Sequence, residues 1–295
     1  MSARFLTVVL ERAFNMRDGF GREIDYMRIS VIDSCNLNCY YCNPCDNNEH
    51  CHALNILSVK EVLCIVRAAT RLGIKHFRLT GGEPLLHPQL DEMVLQIKKI
   101  PGVSSVSLTT NAVLLAQHAK WLKEAGIDSI NVSLDTIDAS EYERITKKPL
   151  LEEVKHGINA AIECGIRVKI NVVLTPQTDV VALTRYVAKK GTDIRFIEMM
   201  PVGEGHTNGV EPYKKVIGTL SKLYGEPCRI NTEKTKEINS GNDKRKIPDN
   251  GPAEYYIFPE LGIRVGLIQA IHGKFCDTCN RIRVTADGRL IPCLG

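Results

Sequence analysis

The sequence predicts an α/β fold: a partial (β/α)6 barrel of TIM type, with a C-terminal extension that closes its open side. Two observations carry this. Between Met27 and residue 200, short β-rich runs alternate with amphipathic stretches about six times, and that alternation implies a parallel sheet with right-handed crossovers. From Pro201 the alternation breaks into a polar, turn-rich tract and then three further β-rich runs. The expected division is therefore residues 1–200 for the barrel and 201–295 for the extension.

Taken in order, "MRISVID" (Met27 to Asp33) reads as the first strand. "SVKEVLCIVRAATRLG" is a helix with Ser58 as N-cap, Glu61 three residues on and Gly73 at its end. "KHFRLT" is strand-like and "HPQLDEMVLQIKKI" helical. "VSSVSLTT", "SINVSLD" and "RVKINVVLT" are strands, separated by the helical "LLAQHAKWLKEAG" and "EEVKHGINAAIECG". "VALTRYVAKKG" and "IRFIEMM" complete the barrel. Beyond the break lie "EYYIFP", "IRVGLI" and "RIRVTADGRLIPCLG", the last folding into a hairpin at Ala286-Asp287-Gly288.

Composition excludes several classes. Hydrophobic residues make up 44% and charged residues 24%, as in an ordinary globular protein. No stretch approaches the roughly 20 apolar residues of a membrane span. The apolar run "FLTVVL" is followed by Glu11 and Arg12 without a small-residue cleavage site, so a cytoplasmic address is expected. A net charge of +4 is small for a nucleic-acid binder but suits a local anion site. Eleven cysteines, without an export signal, favour reduced thiolate ligands over a disulfide framework.

"SCNLNCYYCNPC" places Cys35, Cys39 and Cys42 at C-x3-C-x2-C directly after the first strand. Barrels of this kind carry their chemistry at the C-terminal ends of the strands. Three thiolates can hold three irons of a [4Fe–4S] cluster and leave the fourth open to a small molecule. Structural zinc is the alternative, although it usually takes paired C-x2-C units and four ligands. Cys45 and Cys51, just outside the spacing, read as spare loop thiols. "TGGEP" (Thr80 to Pro84) follows the second strand, and its glycines allow close backbone approach.

Near the end, Cys276, Cys279 and Cys293 form C-x2-C-x13-C. A zinc ribbon there would need a fourth ligand, with His272 or Cys228 as candidates. Arg281 and Arg283, two apart on a strand, point to one face and can clamp anionic oxygens.

The first triad, with Tyr41 before its third cysteine and TGGEP after it, resembles the signature of the radical S-adenosylmethionine (SAM) superfamily. "MRISVIDSCNLNCYYC", "FRLTGGEPL", "SLTTNAVLL", "INVSLDTID", "VKINVV", "RFIEMMPVG" and "FCDTCNRIRVTADGRLIPCL", in order, resemble one family within it, the GTP 3′,8-cyclases of molybdenum-cofactor biosynthesis. The resemblance implies a lyase that converts GTP to (8S)-3′,8-cyclo-7,8-dihydroguanosine 5′-triphosphate. Its two [4Fe–4S] clusters would lie on Cys35, Cys39 and Cys42 and on Cys276, Cys279 and Cys293. It matches Tyr41, Gly82, Ser133 and Met200 to SAM contacts. Arg28, Arg78, Thr109, Lys169, Arg281 and Arg283 match substrate contacts, and one of Arg281 and Arg283 would assist catalysis.

The resemblance also implies a reducing electron donor and a downstream pyranopterin-forming enzyme as partners; a homodimer is one option for assembly. Family members usually continue past the third C-terminal cysteine to a Gly-Gly tail, whereas this sequence ends at "PCLG", and His76 stands where Lys is common. The alternatives are a radical SAM peptide-modifying enzyme with an auxiliary cluster, and a zinc-stabilised non-catalytic binding module.

Overall fold

A computed structural model describes residues 16–42, 55–200, 210–230 and 251–293. Eight parallel strands form the body of one curved sheet, in the order β10-β1-β2-β3-β4-β5-β6-β9. The first six are β1 (Tyr26–Ser30), β2 (His76–Thr80), β3 (Ser105–Thr110), β4 (Ser129–Ser133), β5 (Val168–Val173) and β6 (Asp193–Ile197). Helices connect them: α1 (Val59–Arg71), α2 (Leu90–Lys98), α3 (Leu115–Glu124), α4 (Ala139–Thr146), α5 (Leu151–Glu163) and α6 (Val180–Lys189). Helix α1 starts at the expected capping box, where Ser58 and Glu61 satisfy each other's backbone N–H groups.

The extension adds α7 (Gly218–Tyr224) and five strands: β7 (Cys228–Ile230), β8 (Glu254–Ile257), β9 (Arg264–Ile268), β10 (Arg281–Val284) and β11 (Leu290–Ile291). Strand β10 joins the free edge of β1, and β9 joins the free edge of β6, both in parallel. The extension thus lengthens both edges instead of sealing the barrel with a β9–β10 ladder. Both strands run parallel to the barrel, so residues 269–280 must travel from the C-terminal end of β9 back to the N-terminal end of β10. The β10–β11 turn falls where expected, with Gly288 at φ +83°.

Alternation along the strands explains why the sheet curls around a hollow. Met27, Ile29, Phe77, Leu79, Val106, Leu108, Ile130, Val132, Ile170 and Phe196 are buried in the main core. The intervening positions, among them Arg28, Arg78, Ser107, Asn131, Lys169 and Arg195, line a cavity. In most barrels that interior is filled by branched apolar side chains. Here it is polar, and polar strand positions on the concave face mark a place for a ligand.

Helix α4 and the π-helical turn Tyr213–Ile217 leading into α7 lie outside the elements legible from periodicity. Helix α4 does have a start signal: Asp138 accepts from the backbone N–H of Glu141. The helix has a role at the site, since the backbone N–H groups of Asn38 and Tyr40 donate to Thr146 and Ile145 at its C-terminal end.

Candidate active site

The first cysteine triad follows β1 at the C-terminal end of the sheet. Its loop is fixed from three sides. Strand β2 holds it through the N–H of Val31 on Thr80, of Gly82 on Ile32 and of Glu83 on Ser34. Helix α4 holds Asn38 and Tyr40, and the Cys42 N–H closes a turn on the Cys39 carbonyl. A Cβ on Gly82 would lie 2.2 Å from the Ser34 carbonyl oxygen, and one on Gly81 would lie 2.4 Å from that of Ile32. The two glycines therefore serve the approach of two protein backbones, which sets where Cys35 emerges. Glu83, 1% exposed, accepts from Leu85 N–H, the Thr110 hydroxyl and Asn111 N–H. Burial raises its pKa, and those three donors oppose the rise.

Cys35 and Cys42 are exposed and Cys39 is half-buried, and all three are free thiols. Burial is the main cause raising each pKa, with Cys39 pushed up to about 12. Asp135 and the neighbouring thiols add to the effect at Cys39. Such a group of thiols ionises when a cation is supplied to it. Among the described residues, no three His, Cys, Asp or Glu side chains are gathered closely enough to hold one metal ion. A cubane cluster gives each thiolate its own iron and so accommodates a wider spread than a single ion does. The donor set fits a three-thiolate cluster with an open iron.

Next to this loop is a cavity of about 630 Å³, lined by Tyr41, Cys42, Gly81, Glu198, Met200 and Arg283, among others. The Tyr41 hydroxyl donates to Asp135, which also accepts from Val173 N–H at 2.7 Å. Ser133 is exposed at the end of β4, and Gly82 packs against the Asp33–Ser34 backbone; neither lines this cavity.

A second cavity of about 420 Å³ continues into the barrel and shares Arg28, Thr80 and Ile197 with the first. It gathers Arg28, Arg78, Thr109, Lys169 and Arg281. Pairing puts Arg283, Arg28 and Arg78 side by side across β10, β1 and β2. Arg281 and His76 flank Tyr26 one inward step below, and the guanidinium carbons of Arg281 and Arg78 lie 5.6 and 5.7 Å from the Tyr26 ring centre. Arg28 Nε and Arg281 Nε are buried without partners. Burial, then the charges of Arg281, Arg78 and Arg283, pull the Arg28 pKa well down. Like charges directly opposite one another weaken a sheet. An anion in the cavity would convert that repulsion into binding.

The second triad lies at the other end of the lumen. Cys276 and Cys279 precede β10 at the N-terminal end of the parallel strands, and Cys293 follows β11, which runs back toward them. The segment is tied to the start of β1: Arg22 donates to the Cys276 carbonyl at 2.7 Å, Asn280 to Asp25 at 2.6 Å, and Tyr26 N–H to the Asn280 carbonyl. Neither extra zinc ligand is available to it. His272 bonds through Nδ1 to Glu198, near the opposite end, and Cys228 sits on the far edge strand of the sheet. Cys45 and Cys51 lie outside the described residues.

Two sequence profiles cover most of the chain: the Radical SAM superfamily over residues 29–183, and Molybdenum Cofactor Synthesis C over residues 192–295. The GTP 3′,8-cyclase of Clostridium perfringens is 37% identical over 282 residues, 95% of this chain and 83% of its own length. The chain belongs to the GTP 3′,8-cyclase family of the radical SAM superfamily. The family enzyme of Pelotomaculum thermopropionicum is 38% identical over 286 residues, again 95% of this chain and 84% of its own. Among solved structures, Streptococcus suis SuiB bound to S-adenosylmethionine aligns with a TM-score of 0.64 at 16% identity, covering 92% of this chain and 60% of that one. At that identity the likeness shows the barrel fold alone. Family membership brings SAM and a [4Fe–4S] cluster, for which Cys35, Cys39 and Cys42 are the fitting donors.

Several residues that line or brace the cavities lie within the resembling stretches, yet the sequence assigned them no role of their own. Asn131, Asn171 and Arg195 line the inner cavity, and Glu198 and Asp135 brace its mouth. A signal for the first three was present. They are polar residues at alternate positions of strands buried on both faces, which parallel sheets otherwise fill with apolar side chains.

Proposed function

We propose that this chain is a lyase, the GTP 3′,8-cyclase that performs the first step of molybdenum-cofactor biosynthesis, giving (8S)-3′,8-cyclo-7,8-dihydroguanosine 5′-triphosphate. The observation that carries the reading is the arginine row inside a polar lumen with a cysteine triad at each end. When bound, the first cluster and SAM supply a 5′-deoxyadenosyl radical able to take a hydrogen atom from a ribose.

The chain's own residues hold and enclose the substrate. Cys35, Cys39 and Cys42 hold the first cluster; Tyr41, Gly82, Ser133 and Met200 serve SAM, with Gly82 acting by placing the cluster loop. Arg28, Arg78 and Arg283 hold triphosphate oxygens, which are acceptors only and match guanidinium donors. Lys169 is 6% exposed at the cavity wall, a position where an ammonium gains from an anion, and Thr109 lies beside the nucleotide. Cys276, Cys279 and Cys293 would hold a second [4Fe–4S] cluster, and with three protein thiolates it would keep a position to bind the purine. Arg281 or Arg283, half-buried on β10 beside that triad, is the catalytic residue that would assist as the cyclised nucleotide radical takes one electron from the reducing donor and one proton. The inner cavity excludes bulk water from a reactive intermediate.

In this reading residues 1–200 form the barrel unit and 201–295 the cluster extension. The partners are a reducing electron donor and the pyranopterin-forming enzyme that takes the product. Among the described residues no helix is long and apolar enough to cross a membrane. We place the enzyme in the cytoplasm, with no nucleic-acid partner, and a homodimer as the assembly to test.

The test is an anaerobic reaction of reconstituted protein with SAM, dithionite and GTP, analysed by mass spectrometry. 5′-Deoxyadenosine together with a cyclised nucleotide isobaric with GTP establishes the cyclase. 5′-Deoxyadenosine alone removes GTP as the substrate and returns the peptide-modifying reading.

A further inference from the structure

Asn131 sits in the middle of β4 at 1% exposure, and neither its Nδ2 nor its Oδ1 has a hydrogen-bond partner. It lines the inner cavity, between Thr109 on β3 and Lys169 on β5 in the cross-strand row. An amide buried with both heads unsatisfied is a substantial liability in a folded protein. Its apolar neighbours along the strand, Ile130 and Val132, face the other way into the core. The one environment that can satisfy it is whatever occupies the cavity.

The height of Asn131 narrows what that occupant presents. The arginine row continues through Arg78 to Ser107 and from Ser107 to Ser129. Asn131 is the next inward position above Ser129, and Ser133, at the SAM end, is the next above that. The side chain therefore lies one inward step nearer the mouth than the row of Arg28, Arg78 and Arg283, beside Lys169 in its own row. A nucleotide whose base descends to the second cysteine triad and whose phosphates fold back onto the arginine row carries its ribose above both, toward Asn131 and the mouth. Phosphate oxygens accept but do not donate, so they satisfy only the amide nitrogen. A vicinal diol can donate to Oδ1 and accept from Nδ2 at once.

We propose that Asn131 is a specificity-determining residue that grips the ribose diol of the nucleotide through its 2′-hydroxyl and so presents the sugar to the mouth. The inference rests on the cyclase reading and adds a residue and a sugar selectivity to it. A site built to bond a hydroxyl rejects the analogue that lacks it, because the buried amide is then left unpaired.

The experiment compares GTP with 2′-deoxyGTP in wild-type enzyme, Asn131→Ala and Asn131→Asp, each checked for melting temperature and iron content. Wild type should favour GTP in kcat/KM by roughly 10- to 100-fold, the worth of one or two such bonds. Asn131→Ala should lose about that factor with GTP and change little with 2′-deoxyGTP, bringing the ratio near one. Asn131→Asp, of the same shape but without the donor, should keep part of the preference. Parallel losses on both nucleotides in Asn131→Ala overturn the proposal, as does a wild-type ratio near one. If Asn131→Ala fails to fold, anaerobic calorimetry of wild type decides: equal affinity for the two nucleotides refutes the assignment, and a tenfold or larger preference for GTP supports it. Absence of any cyclised nucleotide from wild type with GTP is a different result; it defeats the cyclase reading itself.

Discussion

Replacing Arg28 with methionine should make the ligand-free protein more stable and the GTP complex weaker. Arg28 stands in register with Arg283 on one side and Arg78 on the other, and its Nε is buried without a partner. Two like-charge cross-strand pairs cost up to about 1 kcal/mol each, and the orphaned N–H a further ~1–3 kcal/mol. The cavity leaves the guanidinium partly exposed, so solvent screening reduces the first contribution. A net gain of about 1–3 kcal/mol in stability is expected, because methionine retains the packing of the aliphatic stem. That corresponds to a rise of a few degrees in melting temperature. Binding should move the other way. Loss of a charge-assisted bond, worth ~1.5–3 kcal/mol, weakens GTP by roughly 10- to 100-fold. Differential scanning fluorimetry of ligand-free protein and anaerobic titration with GTP measure the two effects. A lower melting temperature in Arg28→Met would show that the row carries no electrostatic penalty. Unchanged GTP affinity would show that the anion does not sit there, and either result refutes the reasoning.

Three other substitutions test the scaffold around this row. Gly82→Ala puts a Cβ 2.2 Å from the Ser34 carbonyl; the cluster loop must shift, and with the proposed second cluster retained, iron analysis should find roughly half the wild-type content. Asp135 has its pKa raised from 3.8 to about 6, chiefly by burial. The folded state thus binds that proton more tightly, and the associated stability is full below pH 3.8 and lost as pH rises through about 6. Asp135→Asn should remove about 2–3 kcal/mol of this falling slope between pH 4 and 6.5, read by denaturant titration of cluster-free protein. Glu198→Leu removes both carboxylate oxygens, the acceptors for the N–H groups of Ile271 and His272 and the partner of the His272 ring. Hydrogen exchange at Ile271 should quicken by about tenfold, corresponding to ~1.4 kcal/mol for an unpaired buried donor.

The sequence is legible wherever one local rule governs the outcome. Strand–helix alternation gives six parallel strands, and a capping box gives the start of α1 at Ser58. Cysteine spacing points to the first triad, because its three thiols leave one short loop after β1, and to Cys276 and Cys279 in the same way, whereas Cys293 returns to them only through the β10–β11 hairpin. Non-local arrangement is less legible. Helix α4 has only eight residues, too few for a clear period, so its support of the cluster loop shows only in three dimensions. The glycines of TGGEP read as allowing close backbone approach, and in the structure the space beside them is taken by the Ile32–Ser34 backbone. A motif reports that close approach is needed without naming the approaching partner. Asn131, Asn171 and Arg195 are single polar letters inside apolar strands, and their meaning depends on which face of the sheet becomes the lumen.

That dependence also explains why the site lies along the lumen's full height. In a barrel with an apolar interior, only loops at one rim are free to carry chemistry. Here the strands give up their inward apolar positions, at a cost visible as the unpaired atoms of Arg28, Asn131 and Arg281. The outward face of the same strands, packed under the helices, carries the apolar core that offsets the cost. Because β10 is in register with β1, the two cysteine triads cannot shift along the barrel relative to each other without breaking the ladder that joins Arg283 to Arg28. One sheet thus fixes both the separation of the triads and the height of the arginine row between them. A nucleotide held by its phosphates in that row is therefore held at a set distance from each end.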